Sequence, residues 1–235
     1  MSENLTKEVD RFQDVVFKVI DSSLDERVKS FMWEHFFPDE PISRSLDIQR
    51  VPWLDRLFHD DVLKDRSSMA ALGKDGEILA VRLGKVVRKE DHFNRALERF
   101  MISLLKYCGW GGNLYKMKIY AKVGELIKFN IGEYFKQYNC TKIYECKALC
   151  SARSHGIKGL GTEMVRRTEE LSKELGCTHS FVFVTGKYSQ RVFERSGYKE
   201  INRLVYDDFR MENGELFLKD TREHTMAVAY MKEYA

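Results

Sequence analysis

Residues 154–164 read SHGIKGLGTEM: three glycines fall within six positions, Lys158 sits between them, and a helical pattern follows. The stretch before it, KIYECKALC (142–150), reads as a strand. The stretch after it, about 161–175, carries Met164, Thr168, Leu171 and Leu175 along one face and stops at Gly176. Strand, glycine-rich turn and helix in that order suit an anion. A helix N-terminus presents unpaired N–H groups and the positive end of its dipole. Glycine lets the backbone approach a phosphate with no Cβ in the way. Lys158 adds charge, and Thr162 adds a hydroxyl in the first turn. The competing reading is that the glycines only permit a tight strand-to-helix turn. The stretch matches neither G-x-x-x-x-G-K-[ST] nor G-x-G-x-x-G, so a nucleotide triphosphate loop and a dinucleotide fold are not indicated.

Working outward, the pattern predicts a strand at 15–20. A helix over 24–37 follows, with Ser22 or Ser23 as N-cap and a stop at Phe37-Pro38-Asp39-Glu40-Pro41. A helical stretch is expected around 51–65. A hairpin then joins SMAAL to ILAVRLGKVV through Asp75-Gly76. Helical spacing recurs over 92–107 and 113–137. After the glycine stretch come a strand at 179–184, a short helix over 185–197, and strands in YKEINRLVY, ELFLKD and HTMAVAYMKEY. This alternation predicts an α/β fold with one mixed sheet and helices packed on its faces.

The chain has 235 residues, ordinary apolar content and 39 Lys+Arg against 36 Asp+Glu. That suits one domain over 1–235, with 1–12 as a possible flexible tail. A net charge of +3 is too small for a nucleic-acid partner, although it can serve a small anion locally. The polar opening MSENLTKEVD is not a signal peptide, and no apolar run is long enough for a membrane helix. The five cysteines lack a CxxC pair and read as reduced thiols, which points to a cytoplasmic protein. A zinc site from Cys146, Cys150 and His155 has the wrong spacing, so no metal is expected.

Gly156-Ile157-Lys158-Gly159-Leu160-Gly161 is similar to the [QR]-x-x-G-x-[GA] signature of the GNAT acyltransferases, with glycine where the family has Arg or Gln. FFPDEPIS (36–43), KALCSARSHGIKGLG, KYSQRVFERSGYKE and the closing HTMAVAYMKEY resemble the insect arylalkylamine N-acetyltransferases. The likeness spans nearly the whole chain and is loose over 88–140. It implies a mostly antiparallel sheet with helices on both faces and a splayed central strand pair. It also implies transfer of an acetyl group from acetyl-CoA to a small amine such as dopamine, tyramine or serotonin, by direct transfer in a ternary complex. Other outcomes left open are a non-aryl amine (agmatine, histamine, a polyamine), a long-chain acyl donor, or a silent CoA-binding relative. A monomer is expected.

The resemblance places Leu149, Cys150 and Ser151 beside the thioester and Gly156 to Thr162 around the pyrophosphate. Glu40 is the candidate base, acting through a water. A carboxylate between two prolines after a run of aromatics sits on a rigid loop, and burial there would raise its pKa; Asp39 is the alternative. The tyrosine that many GNAT enzymes use as acid is Phe193 here, so the resemblance passes that role to Ser189 and Thr185. Both hydroxyls could instead cap the helix. Cys150 invites an acyl-enzyme, although direct attack by the amine needs none. Trp33, Phe36, Phe37, Trp53 and Phe58 either line an amine pocket or fill the core.

Overall fold

The computed structural model of the chain describes residues 12, 14–50, 62, 66–91, 131–153, 156–210 and 214–234. In chain order they form β1 (Val16–Val19), α1 (Asp25–Phe31) and α2 (Pro41–Ser45), then β2 (Met69–Leu72), β3 (Ile78–Arg88) and α3 (Ile131–Gln137). These are followed by β4 (Lys142–Ser151), α4 (Leu160–Glu174), β5 (His179–Val184), α5 (Lys187–Arg195), β6 (Lys199–Val205) and β7 (Met226–Glu233). The strands make one sheet in the order β1-β2-β3-β4-β5-β7-β6. Every neighbouring pair is antiparallel except β4 and β5.

The central strands are buried at nearly every position, so the sheet buries both faces. On one face, Ile42 of α2 and Phe135 of α3 pack with Val87, Ile143 and Phe181. Val28 and Phe31 of α1 pack on that same side of the sheet, with Val81, Ala148 and Cys150. On the other face, Val165 of α4 and Phe193 of α5 meet Val86, Tyr144, Cys146 and Val182. Arg82 of β3 is fully buried beneath α4. Its guanidinium donates to the Val165 carbonyl at 2.8 Å, to the Thr168 hydroxyl, and to the Tyr198 hydroxyl at 3.0 Å. The Tyr144 and Phe193 rings flank it. No carboxylate appears among these contacts; hydrogen bonds from the two terminal nitrogens and the ring faces surround the charge, while the Nε–H has no partner among the described residues.

Strand β4 carries one residue more than its partner. Leu83 lies opposite Ala148 and Gly84 opposite Cys146, so Lys147 is the extra residue of a β-bulge. Pairing with β5 runs from Ile143↔His179 to Cys146↔Val182 and stops there. Both strands continue, to Ser151 and Val184, with a gap between them. Gly84 makes the bulge possible. A Cβ there would stand 2.3 Å from the Tyr144 hydroxyl and 2.8 Å from the Glu145 carbonyl oxygen. The Ser67 and Ser68 hydroxyls donate to the Gly84 carbonyl at 2.8 and 3.1 Å.

Four expectations change. The helix expected over 24–37 ends as α at Phe31 and continues as a π-helical turn over Met32–Phe36. Ser22 and Ser23 do not cap it: Leu24 is the N-cap, and the Asp21 carboxylate takes the Ser23 N–H at 2.9 Å. Pro41–Ser45 is a short helix that the proline-rich pattern did not announce. ELFLKD is not a strand; it makes a single bridge, Leu216 to Arg210, then crosses α2. There the Lys219 N–H donates to the Ser45 hydroxyl at 2.8 Å, and Asp220 pairs with Arg44 at 2.9 Å. Side-chain partners on α2 have replaced a strand ladder. The helices expected at 51–65 (Val62 apart) and 92–107, and most of 113–137, lie outside the described residues.

Because Gly84 meets a fully buried ring and a backbone carbonyl, we predict that Gly84→Ala lowers stability by about 1–3 kcal/mol. Urea unfolding followed by circular dichroism reads this directly. A wild-type midpoint would show that the bulge tolerates a Cβ.

Candidate active site

The glycine stretch joins β4 to α4 as anticipated. Gly159 is the N-cap of α4 with φ 91°, a left-handed conformation suited to glycine. The Leu160 N–H turns back to the Ile157 carbonyl at 3.1 Å. Among the described residues, the N–H groups of Gly161 and Thr162 have no partner, and both belong to the half-buried first turn. Lys158 is exposed beside them. At Gly161, helix α4 meets Val192 of α5 at 3.5 Å and Leu149 of β4 at 3.9 Å from an added Cβ. Gly156 differs: a Cβ there meets nothing within 4 Å.

Glu163, also in the first turn of α4, would oppose an anion. Two arginines neutralise it: Arg166 and Arg167 each reach its Oε1 at 2.7 Å. The Arg166 hydrogen bond leads in holding this carboxyl below its ordinary range. The first turn thus keeps its attraction for negative charge.

Beyond Cys146 and Val182, the facing edges of β4 and β5 are open, and Leu149, Cys150 and Ser151 line one of them. Their backbone groups on that edge are free for a ligand that pairs like a strand. Leu149 packs towards α4 and α5, whereas Cys150 packs against the α1 side. Ser151 is exposed. Cys146 faces α5 and Cys150 faces α1, so the two thiols point to opposite sides of the sheet and cannot share a metal. His155 lies outside the described residues. Burial, aided by the Asp39 charge, pushes the Cys150 thiol up to about 12.

On the α1 side, Glu40 is the N-cap of α2 and only 5% exposed. Its Oε1 accepts the Ile42 N–H at 3.1 Å and its Oε2 the Ser43 N–H at 2.6 Å. An ionised carboxylate has about four lone-pair sites, so acceptor capacity remains. Asp39 is half-exposed and bridges two arginines. Arg153, at the end of β4, reaches Oδ2 at 2.8 Å, and Arg222 reaches Oδ1 at 3.3 Å. Such exposed pairs contribute little stability, but three chain segments are held at one point.

Thr185 follows β5 and is buried; Ser189 lies in the first turn of α5 and is half-buried. Neither hydroxyl bonds a described residue. The N-cap of α5 is Gly186, without a side-chain cap, so the capping alternative does not apply. Instead His224 serves α5 from the loop before β7, its Nδ1 accepting the Lys187 N–H at 3.1 Å. Tyr206 had no motif to announce it. Its hydroxyl donates to the Thr185 carbonyl at 2.8 Å. Burial first, then the nearby Glu40 charge, push its phenol far up, so it stays protonated. Tyr206 therefore places Thr185 and Glu40 in one neighbourhood. Phe193 is buried against Tyr198 and holds no proton to give.

Of the aromatic candidates, Trp33 stacks on Phe37 at 4.0 Å, while Phe36 and Phe37 pack against the core. Trp53 and Phe58 lie outside the described residues. A separate cleft of about 520 Å³ runs between α1 and the β2–β3 turn, lined by Glu26, Glu34, His35 and Glu77 among others. None of the candidate catalytic residues lines it. Among the described residues there is no group of three metal-ligating side chains and no helix long and apolar enough to cross a membrane.

The parallel central pair of this mixed sheet splays beside a glycine-capped helix. No family model matches the chain. Among solved structures it is similar to arylalkylamine N-acetyltransferase 2 from Aedes aegypti, with a TM-score of 0.81 and 24% identity over 94% of this chain and 99% of that one. It is similar to an agmatine N-acetyltransferase mutant without ligand, at 0.75 and 18% over 94% and 100%. It is also similar to the Drosophila melanogaster polyamine N-acetyltransferase, which forms N-acetylagmatine, at 0.71 and 19% over 94% and 100%. The chain has the fold of the GNAT N-acetyltransferases.

The open space at Gly156 and the left-handed φ at Gly159 predict opposite outcomes. Gly156→Arg should fold normally and tighten CoA binding about tenfold or more, since one charge-assisted contact to phosphate contributes about 1.5–3 kcal/mol. Gly159→Val should weaken it, because a β-branched residue is strained at that φ. Calorimetric titration with CoA checks both. An affinity unchanged in both variants would remove this loop from the binding site.

Proposed function

We propose that the protein is an acetyl-CoA-dependent N-acetyltransferase for a small arylalkylamine, working by direct transfer in a ternary complex. The observation that carries this reading is the junction of three features. They are the open β4–β5 gap, the glycine-capped α4 terminus at one end of it, and the buried Glu40 carboxylate on the α1 side.

Acetyl-CoA supplies the acetyl group as a thioester. The free N–H groups of Gly161 and Thr162, with Lys158, hold its pyrophosphate in this reading. The open edge over Leu149–Ser151 offers backbone donors to the amide arm and to the carbonyl oxygen. Glu40 takes a proton from the acceptor's ammonium, through a water, and the two N–H bonds fix its carboxylate in place. The amine nitrogen then bonds the carbonyl carbon, the carbon–sulfur bond breaks, and the surplus proton on that nitrogen is relayed to the departing thiolate. Ser189 and Thr185 have uncommitted hydroxyls for that step. Cys150 is not the nucleophile: a thiol near 12 is almost wholly protonated at neutral pH.

Likeness to the agmatine and polyamine enzymes supports a second reading, with a non-aryl amine as acceptor. Thiol release from acetyl-CoA, measured against dopamine, tyramine, serotonin, tryptamine, histamine, agmatine and spermidine, separates the two. The fastest release is expected with an aryl amine. Release no faster with any amine than without one would refute the acetyltransferase reading.

Glu40→Gln should lower kcat by about 10²-fold or more and remove the acidic limb of the pH–rate profile, with acetyl-CoA affinity unchanged. An unaltered profile would exclude Glu40 as base. Cys150→Ala should keep wild-type turnover under the same assay, and loss of activity in a folded Cys150→Ala protein would revive a covalent route.

A further inference from the structure

We propose that Arg82 is a buried counter-charge for the cofactor diphosphate, a cation that the fold keeps without an anion of its own beneath the helix terminus where the phosphates sit. The inference rests on the acetyltransferase reading and adds to it a residue that binds through its field rather than by contact.

Arg82 is fully buried on β3, directly across from Leu149 of β4. Leu149 in turn lies under Gly161, 3.9 Å from where a Cβ would stand there. The guanidinium therefore comes up beneath the first turns of α4. Its contacts fix its height: it donates to the Val165 carbonyl at 2.8 Å and to the Thr168 hydroxyl. Those residues follow Gly161 by four and seven positions, about 6 and 10 Å along the helix axis. A phosphate on the free Gly161 and Thr162 N–H groups would then be roughly 10–14 Å from the guanidinium.

An arginine does not shed its proton in a protein, and burying its charge without a partner is costly. Among the described residues no carboxylate compensates it. The ionisable groups that face it are the Tyr198, Tyr144 and Tyr234 phenols and the Cys146 thiol. Burial pushes the Tyr198 phenol up to about 12 and raises the other two as well, so all three phenols are neutral at neutral pH. The acids of α4 are committed elsewhere: Glu169 to Lys232 at 2.7 Å, Glu163 to Arg166 and Arg167, and Glu170 to Arg166. Glu174 lies at the far end of the helix. The Arg82 Nε–H has no partner among the described residues. Packing alone does not need a cation here, since an apolar side chain of similar length fills the space without the desolvation penalty. At an effective dielectric of about 20, one pair of charges at the separation above changes affinity about tenfold. A buried charge is also screened far less by salt than the exposed Lys158.

The test measures Kd by calorimetry for CoA and for pantetheine, which lacks every phosphate, in the wild type, Arg82→Met and Arg82→Gln. Both variants should bind CoA about tenfold more weakly and pantetheine as the wild type does, which also shows that they are folded. The loss should persist in about 1 M salt, where the Debye length is about 3 Å, whereas the loss caused by Lys158→Met should largely vanish there. A ratio of CoA to pantetheine affinity that both variants leave at the wild-type value overturns the assignment. So does loss of both ligands together, which would make Arg82 a support for α4 and nothing more. A wild type that binds CoA no more tightly than pantetheine leaves no phosphate site for Arg82 to serve and defeats this inference alone. A wild type that binds neither defeats the acetyltransferase reading as well.

Discussion

Strand β4 has one residue too many for its partner β3, and the surplus residue, Lys147, has nowhere to pair. A bulge bends the strand that carries it and raises its local twist. The bend coincides with the end of pairing between β4 and β5, after Cys146 and Val182. An opening in the middle of a sheet would normally expose unpaired backbone groups at a cost, and here a ligand that pairs like a strand can satisfy them. The features of the site are arranged about this gap. Helix α4 begins where β4 ends, Glu40 caps α2 on one face, and α5 starts just beyond β5. Gly84 and the Ser67 and Ser68 hydroxyls serve the same distortion from the β3 side.

Burial separates the groups that can move protons from those that cannot. Cys150 is enclosed by apolar side chains and stays a thiol. Tyr206 is enclosed too, and the Glu40 charge reinforces the effect, so it acts as a fixed donor to the Thr185 carbonyl. Glu40 is equally buried but receives two backbone N–H bonds from its own helix. The short α2 helix thus positions the carboxylate that caps it. Asp39, one residue earlier, stays near the surface and ties the same turn to Arg153 and Arg222. Adjacent acids in the sequence therefore take different tasks because one side chain turns inward and the other outward.

Much of the framework was legible from the sequence because it rests on local rules. The glycines around 156–161, the helix that follows them, the hairpin at Asp75-Gly76 and the strand 179–184 each follow from periodicity, turn chemistry or backbone freedom. Gly76 and Gly159 adopt positive φ where turns were expected. Glu40 stood out as an acid between two prolines, although its place as a helix cap did not. Tertiary contacts decided the rest. The bulge at Lys147 exists only through the register of β3, the π-helical turn at Met32–Phe36 only in the company of the sheet beneath it, and ELFLKD lost its strand to partners on α2. Asp39 meets Arg222 at a sequence separation of 183, and Tyr206 meets Thr185 at a separation of 21. A local pattern states what a segment prefers, whereas a site is made of segments that meet, and only the packed sheet determines which ones do.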